Sequence, residues 1–158
     1  MQKRIFLSSV LFTLLLCIDQ YIKFGFVNGW EWHSEVFSLT LTYNYGVAFS
    51  MFSFLAENLK YIQIGILVIA LIYLIVNKDV FEQYYIPITM LFAGGISNIA
   101  DRFIHGGVVD YFYWHYWFDF AIFNLADVII DIAVALILWA QYILYKKEKA
   151  EKKKNELQ

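Results

Sequence analysis

Residues 61–76 run without a charged side chain between Lys60 and the Asn77-Lys78 pair. A helix needs roughly 20 mostly apolar residues to cross about 30 Å of hydrocarbon, so this segment predicts a membrane span over 60–77. Residues 84–100 are equally free of charge but contain Pro87, Gly94, Gly95, Ser97 and Asn98. Small residues of this kind let helix backbones approach closely, and the segment predicts a second, well-packed span over 84–101. The apolar runs 5–18 and 132–145 are shorter. They reach spanning length, as 5–24 and 122–145, only by taking in acids: Asp19 in the first, Asp127 and Asp131 in the last. A carboxylate at hydrocarbon depth is costly, which marks these three as functional candidates.

Between the first two spans the pattern changes period. Phe37-Ser38-Leu39-Thr40-Leu41-Thr42-Tyr43-Asn44 alternates apolar and polar, the signature of a half-buried strand. A hairpin partner is expected around 47–52, giving an outer β element over 36–54. Residues 108–120 are dense in Tyr, Phe and Trp, and their plainest reading is an aromatic belt at the lipid–water boundary, with His105 and His115 also interfacial. The sequence predicts an all-α polytopic membrane protein: four transmembrane helices with a small extracytoplasmic β-sheet between the first and second. No internal repeat divides the chain, so 1–158 is read as one domain.

Composition agrees: 61% of the 158 residues are hydrophobic, 20% aromatic and only 16% charged, against about a quarter charged in a soluble domain. Disordered, nucleic-acid-binding and disulfide-stapled secreted classes are excluded, the last because Cys17 is the single cysteine. Lys3, Arg4, Lys78 and six lysines from 146 to 154 carry most of the positive charge, whereas 25–59 and 103–119 contain no Lys or Arg. The positive-inside tendency then puts both termini in the cytoplasm. It puts Asp19, Asn98, Asp101, Arg102, Asp110, Asn124 and Asp127 in one layer at the outer end of the bundle. The tail 146–158 alternates Lys and Glu and reads as a solvated helix end beside anionic lipid. Lys3-Arg4, an apolar run and Cys17 are arranged like a lipoprotein signal, but Leu16 stands where a small residue is needed. The first span is therefore expected to be retained, with Cys17 a buried small apolar group.

The acids suggest chemistry. Two close carboxylates cannot both ionise; they share a proton, and one can activate water while the other protonates a carbonyl oxygen. Nothing arranges Ser, Thr or Cys beside a base, and no Cys/His cluster has metal-ligand spacing, so neither a metal nor another cofactor is expected. Asp127 and Asp131 are i, i+4 on one helix and form one possible pair; Asp110 with Asp127 is the other. Spacing leaves the choice open.

Five blocks occur in order: Asp19-Gln20; Asn44-Tyr45-Gly46-Val47-Ala48-Phe49; Gly94-Gly95-Ile96-Ser97-Asn98-Ile99-Ala100-Asp101-Arg102; Val108-Val109-Asp110-Tyr111; and Phe123-Asn124-Leu125-Ala126-Asp127. Together they resemble the type II, or lipoprotein, signal peptidases of bacteria over nearly the whole chain. The resemblance implies an aspartic endopeptidase of the inner membrane that cuts prolipoprotein signal peptides just before a diacylglyceryl-modified cysteine. It implies that Asp110 and Asp127 are the catalytic pair, and that Asp131 is not. It also implies supporting roles for Asp19, Lys23, Asn44, Gly46, Asn98, Arg102, Asn124 and Ala126. Arg102 would orient a substrate carbonyl or an acid, and Asn124, one turn before Asp127, would position water or backbone. The family often has Gly before the Asn where this chain has Ser97, whose hydroxyl can bond back to its own helix. The implied partners are lipidated prolipoprotein signal peptides and membrane lipids, with no nucleic acid. A small proton-coupled transporter is the alternative use of buried acids, although transporters favour repeats and midplane sites. An assembly subunit would leave Asp110, Asp127 and Arg102 idle. The Gly-x-Gly-Asp signature of presenilin-like and prepilin peptidases is absent.

Overall fold

A computed structural model describes residues 1–46 and 53–155. The strand expected at 47–52 lies outside the described residues. The chain is mostly helical: α1 (Gln2–Val27), α2 (Ala56–Val76), α3 (Lys78–Ile104) and α4 (Leu125–Asn155), with strands β1 (Trp32–His33), β2 (Phe37–Asn44) and β3 (Val108–Trp114). Three of the helices, at Gln2–Val27, Glu57–Val76 and Leu125–Lys152, are long and apolar enough to cross a membrane. Their outer surfaces are lined by exposed large apolar side chains, among them Phe6, Ile69 and Leu138. Cys17 is exposed with them, contrary to the expectation of burial; a thiol is apolar enough to sit on a lipid-facing surface.

Helix α3 is the centre of the bundle and packs against α1, α2 and α4. Its buried face carries Thr89, Ser97, Asn98, Asp101 and Arg102. Pro87 lies inside it, and the backbone leaves helical geometry at Tyr84 (φ −119°, ψ 25°). Proline has no N–H and crowds the carbonyl four residues earlier, so a kink in this turn follows. Gly94 permits the α3–α4 contact: a Cβ there would stand 2.7 Å from the Ala126 carbonyl oxygen and 2.8 Å from Ile130 Cγ1.

The three strands form one antiparallel sheet in the order β1-β2-β3. The alternation over Phe37–Asn44 is a strand, as predicted. Its partner β3, however, follows the third helix, so the sheet is not built from the first connection alone. The 108–120 segment divides accordingly. Val108, Val109, Asp110 and Tyr111 are buried, and the Tyr111 ring stacks on Phe26 at 4.4 Å between centroids. Tyr116, Trp117, Phe118 and Phe120 remain exposed. Four consecutive buried residues mean that β3 is covered on both faces, which removes the alternation that would have revealed it. His115 is held by the sheet through Ser38, 2.9 Å from its Nε2.

Candidate active site

The sheet and a single bridge bring Asp110 to the start of α4. Asn44 stands opposite Val108 in the β2–β3 ladder, so Asp110 is its diagonal neighbour on the same face. Asn44 Nδ2 donates to Asp110 Oδ2 at 3.0 Å, while Asn44 Oδ1 accepts the Gly46 N–H at 3.0 Å. On the other side of β3, Phe112 and Phe123 exchange backbone hydrogen bonds at 2.9 and 3.1 Å. That bridge sets Asn124 beside Asp110, and Asn124 Nδ2 donates to Asp110 Oδ1 at 2.7 Å.

Asn124 is not a turn of α4, as expected from spacing; it precedes the helix and caps it. Its Oδ1 accepts the Asp127 N–H at 2.9 Å, and its own N–H donates to Asp127 Oδ2 at 3.2 Å. This is the reciprocal arrangement of a capping box, built from Asn and Asp rather than Ser and Glu. Asp127 Oδ1 accepts from Asn98 Nδ2 at 2.8 Å. One residue, Asn124, therefore contacts both carboxylates.

Beneath the pair lies a buried polar network. Lys23, on α1, is 2% exposed and donates to Asp19 Oδ2 at 2.8 Å, Asp101 Oδ2 at 2.7 Å and Asn98 Oδ1 at 2.9 Å. All three ammonium hydrogens thus have an acceptor. Asp19 Oδ1 takes the Ala126 N–H at 2.8 Å, which ties the first turn of α4 to α1. The Ser97 hydroxyl donates to Asp19 Oδ2 at 2.5 Å instead of bonding back along its helix. Asp101 and Gln20 were not singled out by sequence reasoning as supporting residues, yet Gln20 Nε2 donates to Asp101 Oδ1 at 2.9 Å and Asp101 Oδ2 takes the Val109 N–H at 3.2 Å. Their positions beside Asp19 and Arg102 in the quoted blocks were the available signal.

Asp110 and Asp127 open onto a cavity of about 590 Å³ also lined by Asn44, Asn98, Arg102 and Asp131. Arg102 is 3% exposed. Its Nη2 donates to the Gly46 carbonyl, while Nε and Nη1 are buried without a partner among the described residues. The structure thus brings all ten of the sequence-derived site residues into one connected region. Among the described residues no group of three or more His, Cys, Asp or Glu could hold a metal.

Burial, and next the neighbouring Asp127 carboxylate, push the Asp110 carboxyl up from 3.8 to about 6, against the Asn44 and Asn124 hydrogen bonds and the Lys23 charge. The folded protein therefore keeps a proton at Asp110 that the unfolded chain releases between about pH 4 and 6. Stability from this group falls as pH rises through that window, by an amount on the order of 3 kcal/mol above it. Asp110→Asn removes the cost of the buried charge but leaves one amide donor without an acceptor, which offsets it by roughly 1 kcal/mol. Thermal melts in detergent should show the variant above the parent at pH 8 and no higher than it at pH 4. A parent that is the more stable at pH 8 would contradict the assignment of Asp110 as the costly charge.

A family model for signal peptidase (SPase) II matches residues 11–143. The chain belongs to the signal peptidase II family. Signal peptidase II relatives include the lipoprotein signal peptidase of Wolinella succinogenes, 54% identical over 146 residues that cover 92% of this chain and 100% of that one. That of Helicobacter pylori is 44% identical over 93% of this chain and 94% of its own, and that of Campylobacter jejuni 49% identical over 89% and 88%. Among solved structures, a bacterial membrane enzyme determined in meso at 2.3 Å superposes with a TM-score of 0.73 and 28% identity, over 85% of this chain and 87% of that one. Signal peptidase II membership makes this chain a membrane protease.

Proposed function

We propose that the chain is an aspartic endopeptidase that cleaves prolipoprotein signal peptides just before the diacylglyceryl-modified cysteine. The observation that carries this reading is the joint hold of Asn124 on Asp110 and Asp127, at the wall of one cavity. In the reaction the pair holds one proton. The ionised carboxylate takes a proton from water as its oxygen attacks the scissile carbonyl, and the protonated partner donates to the carbonyl oxygen. Collapse of the tetrahedral intermediate breaks the C–N bond, and the cysteine nitrogen leaves with a proton from the pair. Asn44, Asn98 and Asn124 keep the two carboxyl groups oriented, while the unpartnered Nε–H and Nη1 of Arg102 hold a peptide carbonyl. No metal or other cofactor takes part.

The whole chain acts as one membrane-embedded domain of the bacterial inner membrane, with α3 as a fourth span, both termini cytoplasmic and the acids facing outward. The signal peptide's apolar stretch lies in lipid beside α3 and α4. Two acyl chains anchor the other side of the scissile bond, each buried CH₂ adding roughly 0.8 kcal/mol of membrane retention. Lipid thereby sets the depth of the bond. Purified protein is expected to cleave lipidated prolipoproteins and to cleave unmodified ones far more slowly, across several signal sequences. Comparable rates on both would overturn depth anchoring, and no cleavage of either would overturn the peptidase. Reporter fusions test the orientation. Fusions after Lys78 and after Asn155 should read cytoplasmic, and fusions near Glu35 or Tyr113 should read outside.

A further inference from the structure

The catalytic cavity holds two polar groups that the reaction above does not use. Gln63 comes from α2 and Asp131 from α4, and both line the cavity that Asp110 and Asp127 face. Both helices begin at the end of the bundle that carries the sheet, α2 at Ala56 and α4 at Leu125. At 1.5 Å per residue, Gln63 and Asp131 both stand roughly 10 Å in from that end, at one level in the apolar part of the cleft. The Gln63 Oε1 is buried and without a hydrogen-bond partner among the described residues. Asp131 is exposed on the cavity wall, and its carboxyl has no ion pair or hydrogen bond among the described residues. The buried Gln63 oxygen, left unmatched, is costly in a resting protein, and a carboxylate at this depth of a bilayer is costly without a polar partner. The cost is recovered where a bound chain supplies the missing partner, and both groups offer acceptor oxygens.

We infer that Gln63 and Asp131 form a specificity-determining subsite for a hydroxyl-bearing side chain, Ser or Thr, of the bound signal peptide. The inference rests on the peptidase reading. Asp131 lies one helical turn, about 6 Å, inward from Asp127. An extended chain advances about 3.3 Å per residue, so 6 Å inward from the attacked carbonyl brings the second or third residue before the cysteine to this level. A hydroxyl there finds an acceptor, while alanine at the same place leaves the buried Gln63 oxygen unmatched. Sites built to hydrogen-bond a substrate group discriminate against analogues that lack it.

The test is a cycle between substrate and enzyme. Lipidated substrates carry alanine at the second, third and fourth residues before the cysteine, or a single serine at one of them. The parent is expected to show a Ser/Ala ratio of kcat/KM of about five at the second or third position. That ratio should fall to about one in Gln63→Leu and in Asp131→Leu. Asp131→Asn, which keeps an acceptor oxygen, should retain part of it. A general loss of folding lowers both substrates together and does not move the ratio. A parent ratio near one at every position would overturn the subsite, as would a ratio that survives in both leucine variants. Cleavage of the all-alanine substrate by the parent, and its loss in Asp110→Asn, reports on the peptidase reading separately. Absence of that cleavage would overturn both.

Discussion

Asp110→Asn and Asp127→Asn are each expected to abolish cleavage of a lipidated prolipoprotein, with a loss of roughly 1,000-fold or more, while the protein still folds into the membrane. General acid–base participation contributes about 10² to 10⁴-fold per group, and in the proposed reaction each member of the pair serves in both attack and collapse. The fold tolerates either change because an asparagine keeps one acceptor oxygen. At position 127 it can still receive either Asn98 Nδ2 or the Asn124 N–H, and at 110 either Asn44 or Asn124. The loss is therefore chemical. Asp119→Asn is the matched control: its carboxyl accepts the Tyr113 hydroxyl at 2.6 Å on the exposed face of the sheet, and the variant should cleave like the parent. Single-turnover rates on one substrate decide the matter. A cleaving Asp110→Asn beside a dead Asp131→Asn would move the pair to Asp127 and Asp131, the alternative that helical spacing also allowed.

The choice between those pairs shows where sequence reasoning stops. Asp127 and Asp131 could be related by arithmetic because one helix carries both. Asp110 and Asp127 are brought together by the Phe112–Phe123 bridge and by Asn124, interactions that leave no periodic trace. Strand β2 was legible because apolar and polar residues alternate along it. Strand β3 was not, since Val108 to Tyr111 are buried without alternation. The reach of Asn124 to Asp110 depends on where the 115–123 connection returns. Four helical segments could be read from uncharged runs, and the acids at their ends were conspicuous for their cost in hydrocarbon. What those acids bind was invisible, because Asp19, Lys23, Ser97 and Asp101 meet only when α1 packs on α3.

That meeting sets the second large expectation, which concerns stability. Lys23→Met should destabilise the protein by about 3–5 kcal/mol, the cost of breaking a buried ion pair by removing one partner. Methionine matches the length of the lysine stem but leaves Asp19 and Asp101, each 1% exposed, without their shared cation. Their other partners persist: Ser97 and the Ala126 N–H on Asp19, Gln20 and the Val109 N–H on Asp101. These hydrogen bonds limit the loss without replacing the charge. For a small domain with 5–15 kcal/mol in total, such a loss separates a well-populated native state from a marginal one. The expected readout is a large fall in melting temperature in detergent, together with reduced yield from membranes. A second substitution distinguishes this support role from a direct part in the reaction. Adding Asp101→Asn to Lys23→Met removes one of the two carboxylates that lost their cation, so the double variant should melt above the Lys23→Met single variant. The same Asp101→Asn in the parent should be destabilising, because it breaks a satisfied pair. A Lys23→Met protein that melts with the parent yet fails to cleave would instead place Lys23 in the reaction.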